Sequence, residues 1–186
     1  MKSILFLVLA LSVASLHSEE RALLMTGDME VGFMGGPMFR LINIVDKNKV
    51  TIGGFGAILI NKHLYIGGAG GGTARDIGNG YSSTSYGGGL IGTFIQPNKA
   101  MHYYIDVGVY SGNLSPGGAD NNPRIDRAEN FLIIEPSVGL ALNVMEYAKM
   151  IGGISYRYAD SIDEPSLDSQ DLGGIGLHAS VIFGTF

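Results

Sequence analysis

The chain has 186 residues, of which 46% are apolar and 29 are glycine, and it contains no cysteine and no tryptophan. This length suits one domain of ordinary size, and the glycine content lies well above the usual share of about 7%. The formal net charge of −5 gives no reason to expect nucleic acid as a partner, because such a protein needs a clustered basic face.

The N-terminus predicts a signal peptide over residues 1–18, followed by a lead-in over 19–28. Lys2 precedes an apolar run over 4–11, and small residues come next. Cleavage is expected after Ala14, Ser15 or Ser18. The alternative is an N-terminal membrane anchor, but a helical span needs about 20 apolar residues. A lipoprotein anchor is excluded by the lack of cysteine, and export without disulfides favours a bacterial envelope.

From residue 29 onwards, apolar residues recur with period two rather than at helical spacing. In 130–144 every even position from Leu132 to Val144 is apolar, and the odd positions from Glu135 to Asn143 are small or polar. The segments 101–110, 149–158 and 174–183 repeat the pattern. Turn signals divide the chain into eight predicted strands, at about 29–43, 50–60, 63–73, 85–95, 101–110, 130–144, 148–158 and 172–186.

The predicted connections alternate in length. The short ones are 61–62, 96–100 and 145–147, and the long polar ones are 75–84, 111–129 and 159–171. The connection 45–49 is the exception, because it is short but lies at the end of the barrel that carries the long connections. An up-and-down barrel places every second connection at the same end, and outer-membrane barrels have short periplasmic turns and long external loops. The sequence therefore predicts an all-β fold over 29–186, an eight-stranded antiparallel up-and-down transmembrane β-barrel.

The segment YIGGAGGGTA, residues 65–74, carries five glycines within six positions. It has no GxxxxGK[ST] motif and no strict GxGxxG before a helical pattern, so phosphate binding is disfavoured. Similar glycine-rich stretches occur in 51–60 and 85–95, again inside strand-patterned sequence. Glycine there permits bends and close approach of backbones in a narrow barrel. All three stretches are therefore predicted to be barrel strands.

Together, the signal peptide, eight alternating strands, asymmetric connections and terminal Phe186 resemble small bacterial outer-membrane barrels of the OmpA/OmpX-like class. The resemblance is architectural and covers nearly the whole mature chain. It implies an outer-membrane location, a monomer in contact with membrane lipid, and recognition of Phe186 by the barrel-assembly machinery. One departure concerns parity, since the apolar Val181 and Phe183 are odd-numbered and Phe186 is even. A bulge near Gly184 or a frayed end would repair it.

Polar positions on several strands predict a network inside the barrel. Arg40, Asp106, Glu135 and Arg157 fall on the faces opposite the apolar ones, and Glu30 shares parity with Arg40. One interpretation is an ion or solute pathway. The favoured interpretation is a salt-bridge and hydrogen-bond network that plugs the lumen, because a buried charge needs a partner and an eight-stranded interior is roughly filled by side chains.

His178 and Ser180 form a His-x-Ser pair, which resembles the pair in outer-membrane lipid A deacylases. Residues i and i+2 share a face of a strand, which allows His178 to activate Ser180. In that family a Glu follows the Ser, and here no acid follows Ser180. We therefore expect two polar lumen residues and no catalytic residue.

No cofactor or metal site is predicted. The loop DSIDEPSLDSQD, within 160–171, holds five acids and no base, but it lacks the D-x-[DN]-x-[DN]-G spacing of a dedicated calcium site. A solvated external loop is the favoured interpretation.

The sequence thus predicts a non-enzymatic outer-membrane barrel with a plugged polar lumen and a structural or surface-interaction role through the segments 75–84, 111–129 and 159–171. The main alternative is a secreted or periplasmic soluble barrel that binds an apolar ligand, in which the apolar face would point inwards. A lipid hydrolase that uses His178 and Ser180 is the less favoured alternative. Periodicity alone does not decide which strand face is inside.

Overall fold

The computed structural model describes residues 29–44, 47–73, 81–116, 129–161 and 173–186. They form eight strands: β1 (Val31–Ile44), β2 (Lys47–Ile60), β3 (Leu64–Thr73), β4 (Tyr81–Ile95), β5 (Met101–Pro116), β6 (Glu129–Met145), β7 (Ala148–Ser161) and β8 (Gly174–Gly184). Each strand pairs antiparallel with the next, and β1 pairs with β8 to close a barrel. The predicted all-β, eight-stranded, up-and-down barrel is confirmed. The signal peptide over 1–18 and the lead-in over 19–28 lie outside the described residues.

Several strands extend beyond their predicted ends. β2 begins at Lys47, β4 at Tyr81, and β5 continues to Pro116, so parts of the predicted loops are strand. The polar composition of these ends suggested loops, but the ladder continues with polar pairs such as Asn113 opposite Asn130. A neighbouring strand supplies hydrogen-bond partners whatever the side chains are, so polarity alone marks the strand ends poorly.

The apolar face of the strands is the outer one. On β6, the outer positions Val138 and Leu140 are 44% and 43% exposed. The inner positions Ile133 and Ala141 on the same strand are fully buried. The predicted apolar positions of β5, β7 and β8 follow the same rule, with Val109, Ile154 and Leu177 exposed. Side chains in a strand alternate between faces, so the other half of each strand fills the barrel.

The glycine-rich strands allow the barrel wall to pack closely. In β3, a Cβ atom at Gly67 would overlap the backbone of Gly56 and Ala57 in β2, and one at Gly71 would lie 2.8 Å from the Ile52 carbonyl oxygen. On the outer surface, glycines of β1 to β4 line a shallow depression of about 680 Å³. The segment that begins at Tyr65 is therefore a barrel strand, β3, as predicted.

Two apolar clusters fill the two ends of the interior. The cluster at the end of the long connections contains Met38, Ile42, Ala69, Tyr86, Tyr110, Leu114, Phe131, Ile133 and Ala159. The cluster at the end of the short turns contains Met34, Ala57, Leu59, Tyr65, Phe94, Tyr104, Ala141 and Ile182. On β6 the inner residues run from Ile133 through Glu135 and Ser137 to Ala141, so polar side chains lie between the clusters.

The short turns use backbone conformations suited to tight reversals. Asn61 and Lys62, between β2 and β3, have φ angles of 50° and 62°, as the primed hairpin turns require. The side-chain amide of Asn143 on β6 donates hydrogen bonds to the carbonyl oxygens of Pro97 at 2.9 Å and Lys99 at 2.8 Å. This contact ties the β4–β5 turn to the next hairpin. No helix in the described residues is long and apolar enough to cross a membrane.

Candidate functional site

Three of the predicted lumen residues meet in one ion-paired cluster. The Glu135 carboxylate of β6 lies 3.0 Å from Nη1 of Arg40 on β1 and 2.8 Å from Nη2 of Arg157 on β7. The Nε–H of Arg157 also donates a hydrogen bond to Oε2 of Glu135 at 2.8 Å. Glu135 is 1% exposed, and both arginines are less than 10% exposed. The cluster joins three strands through the barrel interior.

Aromatic rings flank both arginines. The Arg40 guanidinium lies 5.6 Å from the ring centre of Tyr86 and 5.5 Å from that of Tyr110. Arg157 lies 5.1 Å from the Tyr86 ring. Arg40 also donates a 3.4 Å hydrogen bond to the Tyr110 hydroxyl. A cation over an aromatic face is stabilised by the ring quadrupole, so the second positive charge of the cluster is offset partly by these rings.

Asp106, the fourth predicted residue, belongs to a neighbouring group. Its carboxylate accepts hydrogen bonds from the Tyr65 hydroxyl at 2.9 Å and from the Ser137 hydroxyl. Glu30, which was predicted to share the face of Arg40, is exposed and precedes β1. The network therefore divides into an Arg40–Glu135–Arg157 cluster and an Asp106 group.

His178 and Ser180 both point into the barrel. His178 Nε2 is hydrogen-bonded to the Tyr104 hydroxyl, and the Ser180 hydroxyl donates to the Pro37 carbonyl oxygen at 2.5 Å. Ser180 is only 3% exposed. A lipid hydrolase requires this pair to face lipid with a carboxylate that orients the histidine. The pair instead faces inwards, and the hydrogen bonds made by its described atoms go to a phenol and a carbonyl.

Lys149 is a further interior residue that the predicted network did not include. It lies on β7 and is 3% exposed, with Nζ 5.1 Å from the Phe94 ring centre and 4.4 Å from that of Phe186. The available signal was parity, since Lys149 shares odd numbering with Arg157 on the same strand. Phe94 of β4 is also inside and 1% exposed.

The side chain of the terminal Phe186 points inwards, which explains why its parity differs from that of the outward-facing Phe183. The β1–β8 pairing keeps one register from Leu41 opposite Leu177 to Met34 opposite Gly184, so the first of the two alternatives, a bulge near Gly184, is not found. The strand ends at Gly184, and the Phe186 ring packs against the cluster at the short-turn end. Phe183, by contrast, is exposed on the outer face.

No group of three or more His, Asp or Glu residues is arranged to hold a metal within the described ranges. Most of the acidic loop, residues 162–171, lies outside those ranges.

Comparison with known proteins places the fold among solved eight-stranded barrels. The N-terminal β-barrel domain of OprF from Pseudomonas aeruginosa matches with a TM-score of 0.60 and 10% identity, over 83% of this chain and 96% of that one. Neisserial surface protein A, NspA, matches with a TM-score of 0.61 and 9% identity, over 86% of this chain and all of that one. No protein-family model and no curated protein sequence matches the chain. The likeness shows the fold alone, and it confirms the architectural resemblance predicted from the sequence.

Proposed function

We propose that this protein is a bacterial outer-membrane β-barrel with a structural or surface-interaction role and no enzymatic activity. The observation that carries the proposal is the distribution of side chains. Aliphatic and aromatic residues are exposed around the barrel wall, whereas the ionic cluster of Arg40, Glu135 and Arg157 is buried inside. Exposed apolar area on this scale suits contact with lipid rather than water.

The soluble ligand-carrying barrel receives less support. Such a protein needs an apolar cavity of several hundred Å³ inside the barrel. The described interior encloses a void of about 30 Å³ that is lined partly by the charged Arg40 and Asp106. A lipid-sized ligand has no room there.

A transport role is also disfavoured. Apolar clusters occupy both ends of the lumen, and Phe55 and Leu90 pack against both clusters. An ion on its way through would lose its hydration shell in each cluster, and burying an unpaired charge is costly. If the lumen does not conduct, the barrel surface and the segments between strands at the long-connection end are the sites of interaction in this proposal.

Export by the signal peptide over 1–18 and assembly through Phe186 are part of the proposal. The Phe186 ring rests in the short-turn mouth of the folded barrel, so the assembly machinery would have to bind it before it docks. Surface ligands would contact the segments predicted at 75–84, 111–129 and 159–171, and the monomer is the proposed state.

Fractionation of the expressing cell tests the proposal. We expect the protein in the outer-membrane fraction, with a faster mobility on SDS gels in unboiled samples than in boiled ones. A closed barrel that resists SDS until it is heated gives this shift. Recovery in the soluble periplasm, without detergent, would refute the membrane proposal.

A further inference from the structure

Among the described residues, the polar layer of the barrel contains three groups of bonded side chains. The first is the Arg40–Glu135–Arg157 cluster with Tyr110. The second is Asp106 with Tyr65 and Ser137, and the third is the pair of Tyr104 and His178. Hydrogen bonds hold each group together, and ion pairs add to them in the first.

A small void lies where the three groups face each other. Its volume is about 30 Å³, and its walls include members of every group: Arg40, Tyr110, Tyr65, Asp106, Ser137 and His178. Apolar side chains from both interior clusters complete the walls. A polar void of at least about 10–15 Å³ has room for a water molecule.

Two residues that line this void each carry a buried polar atom with no hydrogen-bond partner among the described residues. The two atoms are Nε of Arg40 and Nδ1 of His178. Arg40 as a whole is 7% exposed. A buried polar atom without a partner is costly, so a ligand that bonds to both is favoured.

We propose that this void binds one or two water molecules, which connect the three side-chain groups into a single network. A water can accept a hydrogen bond from Arg40 Nε–H and donate to the Asp106 carboxylate, and it can bond to His178 Nδ1 in either tautomer. The layer holds two cations, Arg40 and Arg157, and two anions, Asp106 and Glu135. Because these charges balance, the site suits a neutral ligand rather than an ion.

The apolar clusters give this water a distinctive property. They lie between the void and the two ends of the barrel, so we expect a bound water to exchange slowly with bulk. We expect a residence time longer than the tumbling time of the protein in a micelle.

Deuteron and oxygen-17 magnetic relaxation dispersion on the refolded full chain in detergent measures such waters. The expected result is a dispersion step that corresponds to one or two long-lived waters. The variant L90F should remove the step, because Leu90 lines the void and a larger side chain fills it. The matched control I91F should retain the step, because Ile91 is the next residue on β4, is exposed on the outer face and does not line the void.

A high-resolution crystal structure, including a bromide-soaked crystal, tests the same site without relying on variants that fold. Water density within hydrogen-bond distance of Arg40 Nε and His178 Nδ1 would support the proposal. An empty void, or bromide in its place, would overturn it, as would the absence of a dispersion step in the unmodified protein.

Discussion

At the scale of single residues, the stability of the barrel interior depends on the balance of charges around Glu135. One carboxylate serves both Arg40 and Arg157, and all three side chains are buried. Removing one partner of a buried ion pair leaves an uncompensated charge and typically costs about 3–5 kcal/mol. The tyrosine rings beside the arginines reduce this cost only in part.

The substitution E135Q should therefore lower the free energy of unfolding by about 3 kcal/mol or more. Urea unfolding of the refolded protein in detergent or lipid measures the change. The matched control is E146Q in the exposed β6–β7 turn, which should change the value by less than about 0.5 kcal/mol. Equal effects of the two substitutions would contradict the role of Glu135.

Glycines on the two faces of the wall should respond differently to alanine. At Gly153, which faces inwards, a Cβ atom would lie 2.5 Å from both the Val138 carbonyl oxygen and the Tyr104 hydroxyl. At Gly56, which faces outwards, nothing lies within 4 Å. We expect G153A to destabilise the barrel by about 1–3 kcal/mol and G56A to be neutral or slightly stabilising. A thermal or urea series that ranks them the other way would contradict the packing described here.

Residue types alone predicted only part of this interior. The parity of Arg40, Glu135 and Arg157 placed them on inward faces, but their meeting depends on which strands face each other across the lumen. Asp106 also lies on the polar face of its strand, but it joins a different group. Lys149 shares the strand face of Arg157 and is buried, although the predicted network did not include it.

At the scale of elements, β6 shows how one strand meets two environments. Its outer residues are exposed and apolar, whereas its inner residues are buried and include Glu135. The free-energy cost of placing a charged side chain on the outer face should therefore depend on its position along the strand, and so on its depth in the bilayer. Val138 lies near the middle of β6, and Leu132 lies close to its start at Glu129.

We expect V138R to cost about 2–4 kcal/mol in a lipid bilayer and L132R to cost about 0–1 kcal/mol, because the penalty for arginine falls from the bilayer midplane to the interface. Reversible unfolding from lipid vesicles measures both values. Similar costs at the two positions would argue that β6 does not span the hydrocarbon region.

The C-terminal residue, Phe186, follows β8 and packs at the short-turn end of the barrel. Nζ of Lys149 lies near the rings of both Phe186 and Phe94. We expect F186A to lower the free energy of unfolding by about 1–3 kcal/mol, through lost apolar burial and the lost ring–cation contact. In a K149M background the cost of F186A should be smaller, because the cation is absent. An unchanged cost in that background would show that the contact with Lys149 contributes nothing.

Strand order and direction were predictable because alternation and turn spacing are local properties of the sequence. Strand ends were less predictable, because β5 continues through Ser111 to Pro116, where polar residues suggested a loop. The glycine-rich β3 was predicted to be a strand. Which of its residues face inwards was not predicted, since glycine carries no side chain to show alternation.

At the scale of the whole molecule, the sequence left open which face of the sheet is inside. Both a membrane barrel and a soluble carrier barrel satisfy the same period-two pattern. The packed interior and the apolar wall distinguish them, because a carrier would place the apolar face around a cavity. This orientation is the central claim of the account.

Tryptophan fluorescence tests that orientation most directly, because the chain contains no tryptophan and a single substitution gives one reporter. In vesicles that contain lipids brominated at the middle of the acyl chain, we predict strongly quenched, blue-shifted emission from V138W. The matched variant Y147W, in the β6–β7 turn, should be quenched far less. If emission from V138W is as insensitive to bromine as that from Y147W, the outer face does not contact lipid and the membrane account is wrong.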